Sequence, residues 1–293
     1  MNIQWYPGHM TKTRRQIEAD LGQVDMVAEI VDVRIPISSR NPDIDALVGD
    51  KPRLIVLNRA DQADQSGNRQ WAEYFRKCGY AVLETDAKTG KGVSRFAEVS
   101  KGLLKDQIER WKAKGQVGRP VRAMVVGVPN VGKSTFINQV ARRKSAKAGD
   151  RPGVTRGKQW VTVDGGLSLL DTPGILWPKF EDEQVGRHLA YTGAVKDDIM
   201  DVETLACYLM DDLSRRYPEA LEGRYKLKMP EWAEGEDPVA YGCRLLEAAA
   251  EKRGFLISGG EVDIERMSRI LLDELRAGKL GRFTLELPPE AGA

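Results

Sequence analysis

Gly127-Val128-Pro129-Asn130-Val131-Gly132-Lys133-Ser134 decides the fold of this chain. The stretch matches G-x-x-x-x-G-K-[ST], follows the apolar run Ala123-Met124-Val125-Val126, and opens a helical stretch over roughly 133–143. A strand, a glycine-containing loop and a helix in that order let backbone N–H groups turn inward around phosphate oxygens, and the helix N-terminus adds its dipole. Lys133 is placed to reach the β- and γ-phosphates, and the Ser134 hydroxyl to ligate Mg²⁺. Asn130, Val131, Gly132 and Thr135 complete the residues expected around the phosphates. The motif therefore predicts a nucleoside triphosphate site.

Outward from this loop, further apolar runs read as buried strands: Met26–Val31, Leu54–Leu57, Tyr80–Leu83, Val161–Val163 and Leu167–Leu170. Helical stretches at roughly 67–77 and 93–112 lie between them. Strands alternating with helices imply crossover units and a mostly parallel sheet covered on both faces. The pattern changes after Pro173-Gly174. Val202, Leu205, Ala206, Leu209, Met210 and Leu213 form a helical stripe with Asp201 as its cap, and Ile264, Met267, Ile270, Leu271 and Leu275 form another between Asp263 and Gly278. Pro238–Arg253 is a third helix. The fold class expected is α/β, with a P-loop nucleotide-binding domain over 1–177 and a small all-α domain over 178–293.

Past the phosphate loop, Asp171-Thr172-Pro173-Gly174 ends an apolar strand. Asp171 is placed to hold Mg²⁺ through water, and the Gly174 N–H to contact the γ-phosphate. Thr155, in Pro152-Gly153-Val154-Thr155-Arg156, is a second hydroxyl ligand for Mg²⁺. Base selection comes earlier in the chain. Asn58-Arg59-Ala60-Asp61 resembles N-K-x-D, where a buried carboxylate accepts from guanine N1–H and the 2-amino group, donors that adenine lacks. Thr85-Asp86-Ala87-Lys88 resembles the S-A-K element, which aims the Ala87 N–H at guanine O6. Two residues depart from these patterns: Arg59 stands where lysine is usual, with a guanidinium able to stack on a base, and Asp86 stands where serine is usual, a change expected to loosen the loop under Ala87.

The base-reading elements thus precede the phosphate loop, the order of a circularly permuted GTPase. The chain resembles the YlqF family, ribosome biogenesis GTPase A. Trp5-Tyr6-Pro7-Gly8-His9-Met10 is similar to that family's W-F-P-G-H-M, and Asp32-Val33-Arg34-Ile35-Pro36-Ile37-Ser38-Ser39-Arg40-Asn41-Pro42 to its D-A-R-x-P-x-S-S-R-N-P. The resemblance spans nearly all of the GTPase domain. It implies a cytoplasmic enzyme that hydrolyses GTP to GDP and acts late in assembly of the large ribosomal subunit, with a helical domain that contacts ribosomal RNA. Ile175, Leu176 and Trp177 follow Gly174 where many GTPases place a water-orienting glutamine, so either hydrolysis is poor or another group supplies the function, and the resemblance points to His9 as that catalytic group. In permuted and related GTPases, an asparagine at the place of Asn130 helps to ligate K⁺. His188 reads as a surface residue.

Composition bounds the partners. The 293 residues carry 45 Lys+Arg and 43 Asp+Glu, but the charge is uneven: residues 1–174 hold 29 basic and 19 acidic side chains, and residues 175–293 hold 16 and 24. A basic first part suits a polyanionic partner. Its basic stretches Lys101–Arg122 and Arg142–Lys158 are placed to follow RNA phosphates; in the acidic part any RNA contact must use patches such as Arg215-Arg216 or Arg224-Tyr225-Lys226-Leu227-Lys228. No stretch approaches 18 apolar residues, so no membrane span is expected, nor is a secretory leader. Cys78, Cys207 and Cys243 are far apart, so neither a disulfide framework nor a cysteine zinc site is expected, and a reducing cytosol fits. The expected partners are GTP or GDP and a large-subunit precursor with its RNA, the chain itself being a monomer. An RNA-binding assembly chaperone whose nucleotide is mainly structural is the alternative.

Overall fold

The computed structural model describes residues 9–142, 159–163, 166–230, 235 and 237–289, with backbone only at 9, 10, 142 and 159. In chain order the first elements are α1 (His9–Leu21), β1 (Met26–Asp32), α2 (Pro42–Val48), β2 (Arg53–Asn58), α3 (Gln65–Lys77) and β3 (Ala81–Glu84). Then come α4 (Phe96–Leu103), α5 (Lys105–Ala113), β4 (Val121–Val126), α6 (Lys133–Arg142), β5 (Gln159–Val163) and β6 (Leu167–Asp171). Among the described residues the later elements are helices: α7 (Glu183–Tyr191), α8 (Val202–Arg216), α9 (Pro218–Tyr225), α10 (Pro238–Lys252) and α11 (Ile264–Arg276).

The six strands form one sheet in the order β3-β2-β1-β4-β6-β5, parallel except for the antiparallel pair β5–β6. Every residue of β1 and β2 is buried, the pattern of strands covered on both faces. Glu29, inside β1, is buried yet paired, with Arg40 at 3.1 Å and Arg53 at 3.4 Å. The stretch expected as one helix over 93–112 is divided at Leu104, where the backbone turns to φ −104°, ψ 18° and the leucine side chain is buried.

The chain divides into two compact units, one Tyr6–Lys179 with Glu286–Ala293 and the other containing Phe180–Leu285. The grouping of Glu286 has a local cause that the sequence reading, which placed the whole tail with the helices, does not contain. Its carboxylate accepts from the N–H groups of Ile37 at 2.6 Å and Ser38 at 3.1 Å, and from the Ser38 hydroxyl. Trp71 Nε1 donates to the Glu286 carbonyl at 2.9 Å.

In the helical unit the stripe Val202, Leu205, Ala206, Leu209, Met210 and Leu213 is wholly buried, and the Asp201 carboxylate caps α8 by accepting from the Glu203 and Thr204 N–H groups. Two expectations fail here. His188 is buried rather than on the surface, its ring 6.0 Å from that of Tyr191, because α7 turns that face into the unit. Cys207 and Cys243, 36 residues apart, are joined by a disulfide. They belong to α8 and α10, and the crossing of two helices leaves no mark in cysteine spacing.

Gly242 permits that crossing. A methyl group there would overlap the Cys207 carbonyl oxygen. Gly242→Ala must therefore push the two helices apart or bend one, and we expect a loss of about 1–3 kcal/mol. In a unit of this size that lowers the melting temperature by several degrees, readable by calorimetry. An unchanged melting temperature would refute the close packing.

Candidate functional site

The site lies at the carboxyl ends of the parallel strands, where α/β sheets bind ligands. β4 runs into Gly127, whose φ of 152° and closeness to Ile30 O, 2.6 Å from where a Cβ would stand, suit only glycine. The loop turns again at Asn130, φ 60°, and Gly132, φ 97°. A Cβ on Gly132 would lie 2.5 Å from Asn58 Nδ2, and that amide is fixed, because it donates to the Val131 carbonyl at 2.8 Å. The other end of Asn58 accepts from the Ala87 N–H at 3.0 Å and from the Thr85 hydroxyl at 3.2 Å. One asparagine thus joins the segments 58–61 and 85–88 to the loop 127–134.

Lys133 is buried, and its ammonium donates to the carbonyls of Gly127 at 3.0 Å and Val128 at 2.9 Å. Burial pushes its pKa down to about 8, opposed by the negative charge of Asp171. Ser134 and Thr135 are exposed at the start of α6. Asp171 ends β6 opposite Val125 of β4, and Thr172 donates to the Val125 carbonyl at 2.7 Å. Gly174 passes so close to the loop that a Cβ would stand 2.8 Å from Pro129 and 2.9 Å from Lys133 Nζ. The next residue, Ile175, donates its N–H to the Gly127 carbonyl at 3.4 Å and is buried, so an apolar, inward-turned side chain occupies the position after D-T-P-G.

Beside the phosphate loop is a cavity of about 160 Å³. Asn58, Arg59, Asp61, Asp86 and Ala87 line it together with Gly132 and Thr135, all expected from the sequence, and so do Lys88, the end of the Thr85–Lys88 element, and Gln62, which lies outside the quoted motifs. Three details differ from expectation. Asp61 is exposed rather than buried. The Ala87 N–H is engaged by Asn58 rather than directed at a ligand. Asp86 tightens its loop instead of loosening it: its carboxylate accepts from the Lys88 N–H at 2.9 Å, the Thr89 N–H at 3.1 Å and the Thr89 hydroxyl. A longer acid can bridge the turn where a serine hydroxyl makes a single bond.

Arg59 does not replace lysine passively. Its backbone is left-handed, φ 61°, and its Nη2 donates to the Asn130 carbonyl at 2.9 Å. The neighbouring Asp32 and Arg34, quoted above only as part of a family signature, lie fully buried against it. The buried pair shows only in the tertiary structure.

Thr155 lies outside the described residues, and so does the His9 side chain, although His9 opens α1. The basic stretch 143–158 is likewise outside them. Of the patches named for RNA, Arg215 pairs with Asp211, Arg216 donates to the Leu285 carbonyl at 2.7 Å, and Arg224 pairs with Glu274. Lys226 and Lys228 are exposed. Among the described residues no helix is long and apolar enough to cross a membrane.

The family described as "50S ribosome-binding GTPase" matches residues 122–229. Ribosome biogenesis GTPase A of Bacillus cereus is 47% identical over 293 residues, covering 100% of this chain and 96% of its own length. That of Thermotoga maritima is 32% identical, covering 98% and 95%. The crystal structure of GNP-bound YlqF from T. maritima superposes with a TM-score of 0.62 at 29% identity, over 96% of this chain and 100% of that one. With the phosphate loop, the base-reading segments before it and the sheet that joins them, this full-length likeness places the chain in the ribosome biogenesis GTPase A family, as a circularly permuted GTPase.

Proposed function

We propose that this GTPase is a GTP-dependent switch in late assembly of the large ribosomal subunit, acting in the cytoplasm as a monomer. The observation that carries the nucleotide assignment is the position of Asn58, which holds the base-reading segments on the phosphate loop and so fixes base and phosphate subsites in one frame. The ribosomal role is supported by the full-length relatives.

In this reading Asp61 accepts from guanine, Arg59 and Ala87 flank the base, and Asn130, Val131, Gly132, Lys133, Ser134, Thr135 and Gly174 surround the phosphates. The donors fit a hard cation of the Mg²⁺ type: Ser134 presents an exposed hydroxyl, and Asp171 is near enough to Lys133 to oppose its loss of charge. Thr155 would be a second hydroxyl ligand, and Asp171 would act through water. Bound with the nucleotide, Mg²⁺ neutralises charge on the phosphate oxygens. Asn130 would hold K⁺, a further positive charge at the phosphates. His9 orients the attacking water, since Ile175 cannot.

The chain runs from Asp171–Gly174 into the helices within a few residues, so a loop ordered by γ-phosphate biases the helical unit. That unit, at about 178–293, contacts ribosomal RNA through exposed bases such as Lys226 and Lys228.

Co-sedimentation tests the proposal. Large subunits, and not small ones, should retain the form bound to a non-hydrolysable GTP analogue over the GDP form, less so as salt rises. They should raise kcat at least about tenfold, a barrier change near 1.4 kcal/mol. His9→Ala should lower that stimulated rate by about 10²–10³. Equal retention with both nucleotides and no stimulation would leave an RNA-binding chaperone with structural nucleotide as the better reading.

A further inference from the structure

Asp32 closes β1, and its partner in the β1–β2 register is Asn58, the residue before Arg59. Its carboxylate is almost completely buried, 1% exposed, and is fixed from several sides. Oδ1 accepts from the Arg34 N–H at 3.1 Å and Arg34 Nε at 3.0 Å, and Oδ2 from Arg34 Nη2 at 2.7 Å. The Asp32 N–H donates to the Ser39 hydroxyl at 3.0 Å. Burial alone would raise the Asp32 carboxyl, but the Arg34 guanidinium, aided by the Arg59 charge, holds it below the ordinary carboxylate range. On this fixed anion rests a second arginine: Arg59 Nε lies 3.4 Å from Asp32 Oδ2.

A buried ion pair is a poor source of stability, because desolvation offsets the attraction. Two arginines around one carboxylate are still harder to account for as packing. The arrangement makes sense through what Arg59 does with another of its nitrogens. Nη2 holds the Asn130 carbonyl at 2.9 Å. In a trans peptide the C=O and the next N–H point in opposite directions. Holding the Asn130 oxygen away from the phosphates therefore turns the Val131 N–H toward them. Asn58 does the same one residue on, holding the Val131 oxygen and so turning the Gly132 N–H. The Asp32 carboxylate and the Asn130 carbonyl are met by two different nitrogens of one rigid planar group, which a guanidinium offers and the single ammonium nitrogen of a lysine does not.

We propose that Asp32, gripped by Arg34, is a positioning residue for nucleotide binding: it holds the Arg59 guanidinium on the Asn130 carbonyl and thereby keeps the Val131 N–H directed at the phosphates. The inference rests on Gly127–Ser134 being the phosphate loop.

The test is a double-mutant cycle on the full chain, read as GDP affinity with a fluorescent GDP analogue. The proteins are wild type, Asp32→Asn, Arg59→Lys and the double variant, each checked for its melting transition. Asp32→Asn should weaken GDP about tenfold, in the range of a coupled polar pair. In the Arg59→Lys background the same change should matter less than about twofold, because the nitrogen that Asp32 meets is gone. Preference for guanine over xanthine nucleotides should stay as in wild type, since Asp61 is untouched.

A folded Asp32→Asn protein with unchanged GDP affinity overturns the proposal. So do losses that multiply in the double variant, or a lost base preference, which would mark general disorder of the site. If Asp32→Asn does not fold, Arg59→Lys decides: weaker GDP binding supports the role of two separate nitrogens, and undiminished binding refutes it. Lys133→Ala is the control for the underlying reading. Normal GDP binding by that variant would move the phosphate site elsewhere, whatever the cycle shows.

Discussion

Asp61→Asn exchanges guanine recognition for xanthine recognition, with GTP affinity expected to fall by about 10³–10⁴. Guanine offers two donors, N1–H and the 2-amino group, to one carboxylate. Asparagine keeps one acceptor and replaces the other with a donor, which faces the 2-amino group and leaves two donors opposed once the base covers them. Xanthine carries a carbonyl at position 2 and so matches the amide. Asp61 lines the cavity and is exposed, so the substitution does not bury an unpaired group. The fold should melt as wild type while the nucleotide preference inverts. Competition of GTP and xanthosine triphosphate for the same site measures it, and unchanged GTP affinity would remove Asp61 from the base site.

Lys133→Ala should lower kcat/KM for GTP by about 10³–10⁵. A charge-assisted bond to phosphate contributes roughly 1.5–3 kcal/mol to binding, and loss of one well-placed group that stabilises developing charge costs a further 10²–10³ or so in rate. The ammonium donates to two loop carbonyls, Gly127 and Val128. Burial already disfavours its charge, so its removal should cost the fold little. Steady-state turnover beside a thermal melt separates the two effects. Full turnover by a folded variant would exclude this loop as the active one.

The sequence by itself determined more of this protein than is usual, for reasons tied to particular residues. The loop from Gly127 to Ser134 is legible because phosphate binding demands glycines where the backbone turns left-handed and a lysine at one spacing. Circular permutation is legible because it is a statement about order, with 58–61 and 85–88 before 127–134. The stripes of α8 and α11 are legible because burial repeats with the helical period.

What only the tertiary structure decided are relations between distant segments. The turn around Asp86 is tighter than its residue type suggested, because its carboxylate reaches two N–H groups and a hydroxyl. The Ala87 N–H goes to Asn58, a partner 29 residues away. Cys207 meets Cys243 because α8 and α10 cross at a glycine. His188 is inside because of the face that α7 presents. Glu286 groups with the GTPase unit through two backbone N–H groups at Ile37 and Ser38. Above all, Asp32, Arg34 and Arg59 become one cluster only when β1 and β2 pair in register. Local chemistry repeats along the chain and can be read there; a hydrogen bond between strands depends on register and packing, which no single stretch of sequence carries.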